Sequence, residues 1–146
     1  MKRKFIIASL FVATLAMASC SKKTTTTDPA QLPEQSQKVV SSNFSSPIVS
    51  IEIGKDEETQ VEEYTVTLED GTVIEFKNDI WDEVTVPVGS QVPEYFVNPA
   101  IFQYVKMNHP QLKVIGIKKD KTDFDVKLSN DLGIEFDSIG AFIKYD

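Results

Sequence analysis

Two stretches of this chain are written in nearly the same way: Tyr64–Phe76 reads YTVTLEDGTVIEF and Phe124–Phe136 reads FDVKLSNDLGIEF, sixty residues later. In each, apolar and polar residues alternate, a turn-forming cluster follows, and the alternation resumes. That is the pattern of a β-hairpin with one buried face. Tyr64, Val66, Leu68, Ile74 and Phe76 form the first apolar set, with Thr65, Thr67 and Glu75 pointing the other way. Phe124, Val126, Leu128, Ile134 and Phe136 form the second, opposite Asp125, Lys127, Ser129 and Glu135. Asp70-Gly71 predicts a two-residue turn. In SNDLG the glycine comes later, so that turn is left without an assigned geometry.

The same shift aligns Pro33 with Pro93 and Glu34 with Glu94. Between the helical and hairpin parts the offset drifts to about 66, because the loop GKDEETQVEE is longer than KKDKTD, and loops absorb length differences most easily. Each copy therefore orders a proline-marked helical segment before its strands. Pro33–Phe44 predicts a helix with Val39, Val40 and Phe44 as its apolar residues. In the second copy Asn98 is a suitable N-cap and Pro99 suits the first helical position. Ile101 and Val105 share a face with Val97, and His109-Pro110 ends the run. Val49, Ile51 and Ile53 alternate with Ser50 and Glu52, and Ile115 and Ile117 repeat that pattern. Fourth strands are expected at Trp81–Val86 and Phe142–Tyr145. The expected fold is α+β: tandem repeats over 32–86 and 92–146 that build one antiparallel sheet, with helices on its apolar face and water on the other.

The chain opens MKRKFIIASLFVATLAMASC, with Lys2, Arg3 and Lys4 ahead of an apolar run from Phe5 to Ala18. That run is shorter than the roughly 20 residues of a membrane-spanning helix, which predicts an export signal over residues 1–19. MASC resembles the lipobox of bacterial lipoproteins, with Met17 where leucine is commonest. On that resemblance Cys20, the only cysteine, is the lipidation site. Residues 20–31 then read as a lipidated N-terminus and flexible tether, because SKKTTTTDPAQ buries too little to offset its ordering entropy. The domain proper is 32–146. Its surface is expected at the outer membrane, facing the periplasm, held by the lipid anchor alone.

Removal of residues 1–19 leaves 12 basic and 22 acidic residues, a net charge of −10. Such a field repels nucleic acid and anionic lipid headgroups. The imbalance is concentrated: residues 32–86 carry 13 acidic and 3 basic residues, whereas 92–146 carry 8 and 7. This suits a partner with a basic patch, and equally an ordinary soluble surface.

No residue constellation specifies a reaction. His109 is the only histidine, so a zinc site or a Cys-His pair has nothing to complete it. No serine sits in a nucleophile elbow. The acidic stretches Asp56–Glu58 and Asp120, Asp123, Asp125 lack the spacing of a calcium loop. Glu75 and Glu135 are a pair of acids at equivalent repeat positions, which duplication explains without glycosidase chemistry. No catalytic residue, cofactor or metal is expected.

The elements LP and VP that open the helical segments, with YTVTLEDGTVIEFKNDIWDEV and FDVKLSNDLGIEFDSIGAFIKY, resemble the PepSY-like lipoproteins over about residues 32–146. That family shares the tandem-repeat architecture of the beta-lactamase-inhibitor proteins. The resemblance implies a non-enzymatic, protein- or peptide-binding module of inhibitory or regulatory kind; the alternative is a structural or accessory component of an envelope assembly. The candidate binding face comprises Thr65, Thr67, Glu75, Asp125, Lys127 and Glu135. Trp81, the only tryptophan, is either a contact anchor or a packing residue at a sheet edge. The SIGAFI spacing differs from NDIWDEV, which leaves the pairing of the last strand open.

Overall fold

The computed structural model describes residues 22–146; the expected signal segment 1–19 and Cys20 lie outside the described residues. Nine strands form one sheet in which spatial order equals chain order. They are β1 (Thr24–Thr26), β2 (Ile48–Lys55), β3 (Glu62–Leu68), β4 (Val73–Lys77), β5 (Ile80–Thr85), β6 (Val114–Lys119), β7 (Asp123–Leu128), β8 (Gly133–Asp137) and β9 (Phe142–Tyr145). Every neighbouring pair is antiparallel. Two helices, α1 (Glu34–Asn43) and α2 (Pro99–Asn108), complete the α+β fold. Last-strand pairing is settled: β9 lies on β8, Phe142 opposite Phe136.

Register explains the core. Ile51 pairs with Val66, Val66 with Ile74, Ile74 with Val84, Val84 with Ile117, Ile117 with Val126, and Val126 with Ile134. All seven are 0% exposed, so one unbroken row of branched side chains runs through the middle of the sheet. Leu68, Phe76, Leu128 and Phe136 are buried beside it, and Val39, Val40, Ile101 and Val105 of the helices belong to the same cluster.

Both hairpins close by the same device. Gly71 N–H donates to the Leu68 carbonyl at 3.0 Å with φ of 94°, and Asp131 N–H donates to the Leu128 carbonyl at 2.9 Å with φ of 68°. Leu68 and Leu128 donate in turn to the carbonyls of Thr72 and Leu132. Asp70 and Asn130 each accept through Oδ1 from the amide two residues on. The expected two-residue turn at Asp70-Gly71 is thus a longer one, a turn followed by a left-handed residue that restores the twist of the strands. In the second hairpin Asp131 takes the left-handed place that Gly71 holds in the first, which aspartate tolerates better than most side chains.

Three further expectations are revised. Thr24–Thr26 was assigned to a flexible tether, yet it pairs with Ile51–Ile53 as an edge strand; polar composition hid the strand preference of β-branched threonine. Val49 does not alternate inward with Ile51: a bulge between Ile48 and Ser50 leaves it 46% exposed. Pro93 and Glu94 open a single 3-10 turn, Glu94–Phe96, so the counterpart of Pro33 at a helix start is Asn98, whose Oδ1 accepts from Ala100 N–H at 2.9 Å.

Pro33 provides no side-chain cap for α1. Asp79, in the β4–β5 turn, supplies it: its Oδ1 accepts from both Ser36 N–H at 2.8 Å and Ser36 Oγ at 2.9 Å. Ser36 is 0% exposed, so the carboxylate satisfies a helix amide and a buried hydroxyl at once. Asp79→Ala should cost about 1–3 kcal/mol, the range for a lost cap plus an unsatisfied buried hydroxyl. Urea denaturation would show this as a lower midpoint with an unchanged slope; an unchanged midpoint would contradict the assignment.

Candidate functional site

One residue along each strand from the core row, the side chains point the other way. There Glu52 pairs with Thr65, Thr65 with Glu75, Glu75 with Glu83, Glu83 with Lys118, Lys118 with Asp125, Asp125 with Glu135, and Glu135 with Lys144. This is a polar row spanning β2 to β9. Next to it, towards the hairpin turns, runs a second row in which Ser50, Thr67, Val73, Thr85, Gly116, Lys127 and Gly133 are successive partners.

The sequence-derived face is therefore brought together in two lines: Thr65, Glu75, Asp125 and Glu135 in the first, Thr67 and Lys127 in the second. Trp81 lies outside both. A bulge between Glu75 and Phe76 pairs Trp81 with Phe76 instead, and its ring meets that of buried Phe96 edge-on at 5.3 Å. Lys119 Nζ sits 4.6 Å over the ring centroid, a cation–π contact. Glu83, Lys118 and Lys144 were missed in the sequence. Lys118 was legible as the polar residue after Ile117, whereas Glu83 shares a face with Glu75 only through the bulge.

Charges in the first row are tied across strands. Lys118 reaches Glu83 at 3.4 Å and Lys144 reaches Glu135 at 3.1 Å, while in the second row Lys127 reaches Asp131 of its own hairpin turn at 2.9 Å. Glu75, expected to be solvent-facing, is half-buried. Burial raises its pKa above the ordinary carboxylate value and the Glu83 charge adds to this, against a smaller opposing pull from Lys118. Burial works to lower the Lys118 ammonium, yet Glu83 and Asp82 outweigh it and hold the pKa raised. Asp125 is 7% exposed.

The remaining candidates have local tasks. His109 closes α2, with Nε2 3.1 Å from the Tyr145 hydroxyl. Asp56 Oδ1 accepts from Glu58 N–H and from both Thr59 N–H and Oγ1, shaping its own loop. Among the described residues no three of His, Cys, Asp or Glu are grouped to hold a metal ion. Nor is any described helix long and apolar enough to cross a membrane. What the arrangement can do is present a wide, charged and rigid surface.

Residues 62–144 match the family profile described as "Putative beta-lactamase-inhibitor-like, PepSY-like". No functionally curated protein matches the chain. Among solved structures, a "putative periplasmic protein of unknown function" from Bacteroides vulgatus is 30% identical, with a TM-score of 0.80 over 86% of this chain and 99% of that one. A second "putative periplasmic protein" from the same organism is 32% identical, with a TM-score of 0.76 over 85% and 96%. A "putative calcium-regulated periplasmic protein" from Bacteroides thetaiotaomicron is 30% identical, with a TM-score of 0.77 over 85% and 96%.

The Glu75 shift has a sign that can be tested. A carboxyl whose folded-state pKa lies above its unfolded value holds its proton more tightly when folded. Its stability contribution is present below the unfolded pKa and is lost as pH rises through the folded one. Glu75→Gln should therefore raise the melting temperature at pH 7, and the gain should shrink as the pH falls through the carboxylate range. Thermal melts of both proteins across that range decide the point; a variant less stable than wild type at pH 7 would contradict it.

Proposed function

The chain belongs to the PepSY-like, beta-lactamase-inhibitor-like family, and from that premise we propose that it is an exported, lipid-anchored envelope protein that holds a protein or peptide against its polar sheet face. The role is inhibitory or regulatory contact, without catalysis. One observation carries this reading: the polar row is continuous from β2 to β9 and is built on a rigid, core-backed sheet. A surface of that extent, held by cross-strand ion pairs, suits recognition by charge and shape. The periplasmic description of the related structures supports export. Cys20 would carry the lipid that keeps the domain at the outer membrane, with a shortened tether ahead of β1.

The surface is read as the product of two tandem copies, 32–86 and 92–146, whose helices cover the apolar face. Support comes from details that chance would not repeat. The bulge between Ile48 and Ser50 recurs between Val114 and Gly116, and the one between Glu75 and Phe76 recurs between Glu135 and Phe136. Ring contacts tie the helical segments to the apolar side, as with Tyr104 of α2 against Phe136 at 5.3 Å. The partner is one with a basic patch, matched to the acid-rich first copy.

A second reading, an accessory component packed within an envelope assembly, is favoured by β9. Ile143 and Tyr145 there are 46% and 45% exposed on a strand at the sheet's edge, a surface that invites further pairing.

Capture from native envelopes tests the proposal, with full-length wild type, a Glu63→Lys/Glu75→Lys pair and Cys20→Ser as baits. Charge reversal should reduce partner recovery several-fold, as should moderate salt through screening, while Cys20→Ser should lose fatty-acid incorporation. Recovery indifferent to both charge and salt would overturn the acidic-face mechanism, and a wild-type protein that takes up no fatty acid would overturn the anchor.

A further inference from the structure

Where β5 meets β6 the second polar row changes character. Val73 pairs with Thr85, Thr85 with Gly116, and Gly116 with Lys127. Gly116 puts no side chain on this face; a Cβ there would stand 3.3 Å from Lys127 Cβ and 3.9 Å from the Val84 carbonyl oxygen. The space left is a groove of about 420 Å3, floored by Val73, Thr85 and Gly116 and bordered by Pro87 and Val88. That size falls within the roughly 300–1,000 Å3 of ligand sites. Val88 is apolar yet 73% exposed at its rim. Glu75 and Glu83, which are cross-strand partners, line one end, and Asp70 and Asp131 from the two hairpin turns line the other.

We propose that this groove receives an extended segment of a partner protein in which a large apolar side chain stands between two basic residues. The inference rests on the sheet-face reading above and names the chemistry of what binds there. An apolar floor with carboxylates at both ends discriminates by sign as well as by size. Of the lining charges, Glu83 is paired with Lys118 and Asp131 with Lys127, which leaves Glu75 at one end and Asp70 at the other outside those ion pairs. Glu75 is left with burial and the Glu83 charge both opposing its ionisation, a cost that an incoming cation relieves.

Spacing fixes the pattern. In an extended chain residues i and i+2 point the same way, about 6.6 Å apart. The same two-residue step along β4 and β5 separates Val73 and Thr85 from Glu75 and Glu83. A basic–x–apolar–x–basic segment lying along the strand direction therefore seats its central side chain on Gly116, directs one cation to Glu75 and Glu83, and carries the other towards the hairpin turns that hold Asp70 and Asp131.

Fluorescence anisotropy on the mature protein at low salt tests this. The probe is a labelled pentapeptide with arginine at its first and fifth positions, phenylalanine at its third and threonine between. Versions with glutamate for arginine, or alanine for phenylalanine, serve as controls. The arginine peptide should bind, and each control should bind at least tenfold more weakly. Gly116→Val, which fills the floor, and Val73→Lys, which puts a cation on it, should each weaken binding at least tenfold with unchanged far-UV circular dichroism. Should the valine variant misfold, Val73→Lys decides alone. Equal binding of the glutamate peptide, or binding untouched by a folded groove variant, overturns the groove. If that persisting binding is lost on charge reversal of Glu63 and Glu75, the broader sheet face stands without the groove. A folded wild type that binds no arginine peptide also overturns the groove, and envelope capture then judges the sheet face separately.

Discussion

Three residue pairs hold the halves of the sheet together: Glu83 with Lys118, Val84 with Ile117, and Thr85 with Gly116. They are of unequal weight. The Glu83–Lys118 ion pair is partly exposed, and such pairs contribute about 0–1 kcal/mol. Val84 and Ile117 are both 0% exposed, and burying side chains of that size contributes about 1.5–3 kcal/mol each. The seam is thus an apolar join with a charged clasp on its outer face. Just beyond it Val86 N–H donates to the Ile115 carbonyl at 2.8 Å, which carries the pairing into the connection. Without these pairs β5 and β6 would be edge strands with open backbone groups and a bared core row.

What the molecule offers a partner depends on the same seam. Glu75 and Glu83 belong to the first half and Lys118 to the second, so Glu83 finds its counter-charge across the join. The groove likewise has Val73 and Thr85 from one half and Gly116 and Lys127 from the other. Neither half alone could form it. A rigid sheet beneath the surface also means that little ordering entropy is lost on contact, which is where extended, flexible surfaces lose affinity.

How much of this could be read in the sequence divides along local and non-local lines. The hairpins, β9 and the start of α2 were legible because alternation, Asn98-Pro99 and turn residues are short-range signals. The length of the first turn was misjudged because Asp70-Gly71 suits more than one hairpin geometry. Val49 was misplaced because a bulge shifts the alternation by a residue, and nothing in IVSI marks which residue is extra; the bulge beside Trp81 likewise hid which strand position it pairs with. Glycine gave no hint that Gly116 floors a groove, since that follows from pairing with Thr85 thirty-one residues earlier and Lys127 eleven later. The cap that Asp79 gives α1 joins residues 43 apart, a separation that local pattern cannot reveal. Threonines 24–26 read as polar linker because the strand they join, β2, is distant in the chain.

Native-state hydrogen exchange resolved by residue puts the seam itself to the test. If the halves form one cooperative sheet, the Val84 and Val86 amides should exchange only through global unfolding, with the same free energy as core amides such as Val66 in β3 and Val126 in β7. Seam amides that open at much lower free energy while Val66 and Val126 stay protected would show two independently stable halves. The continuous face and the groove would then lose their foundation.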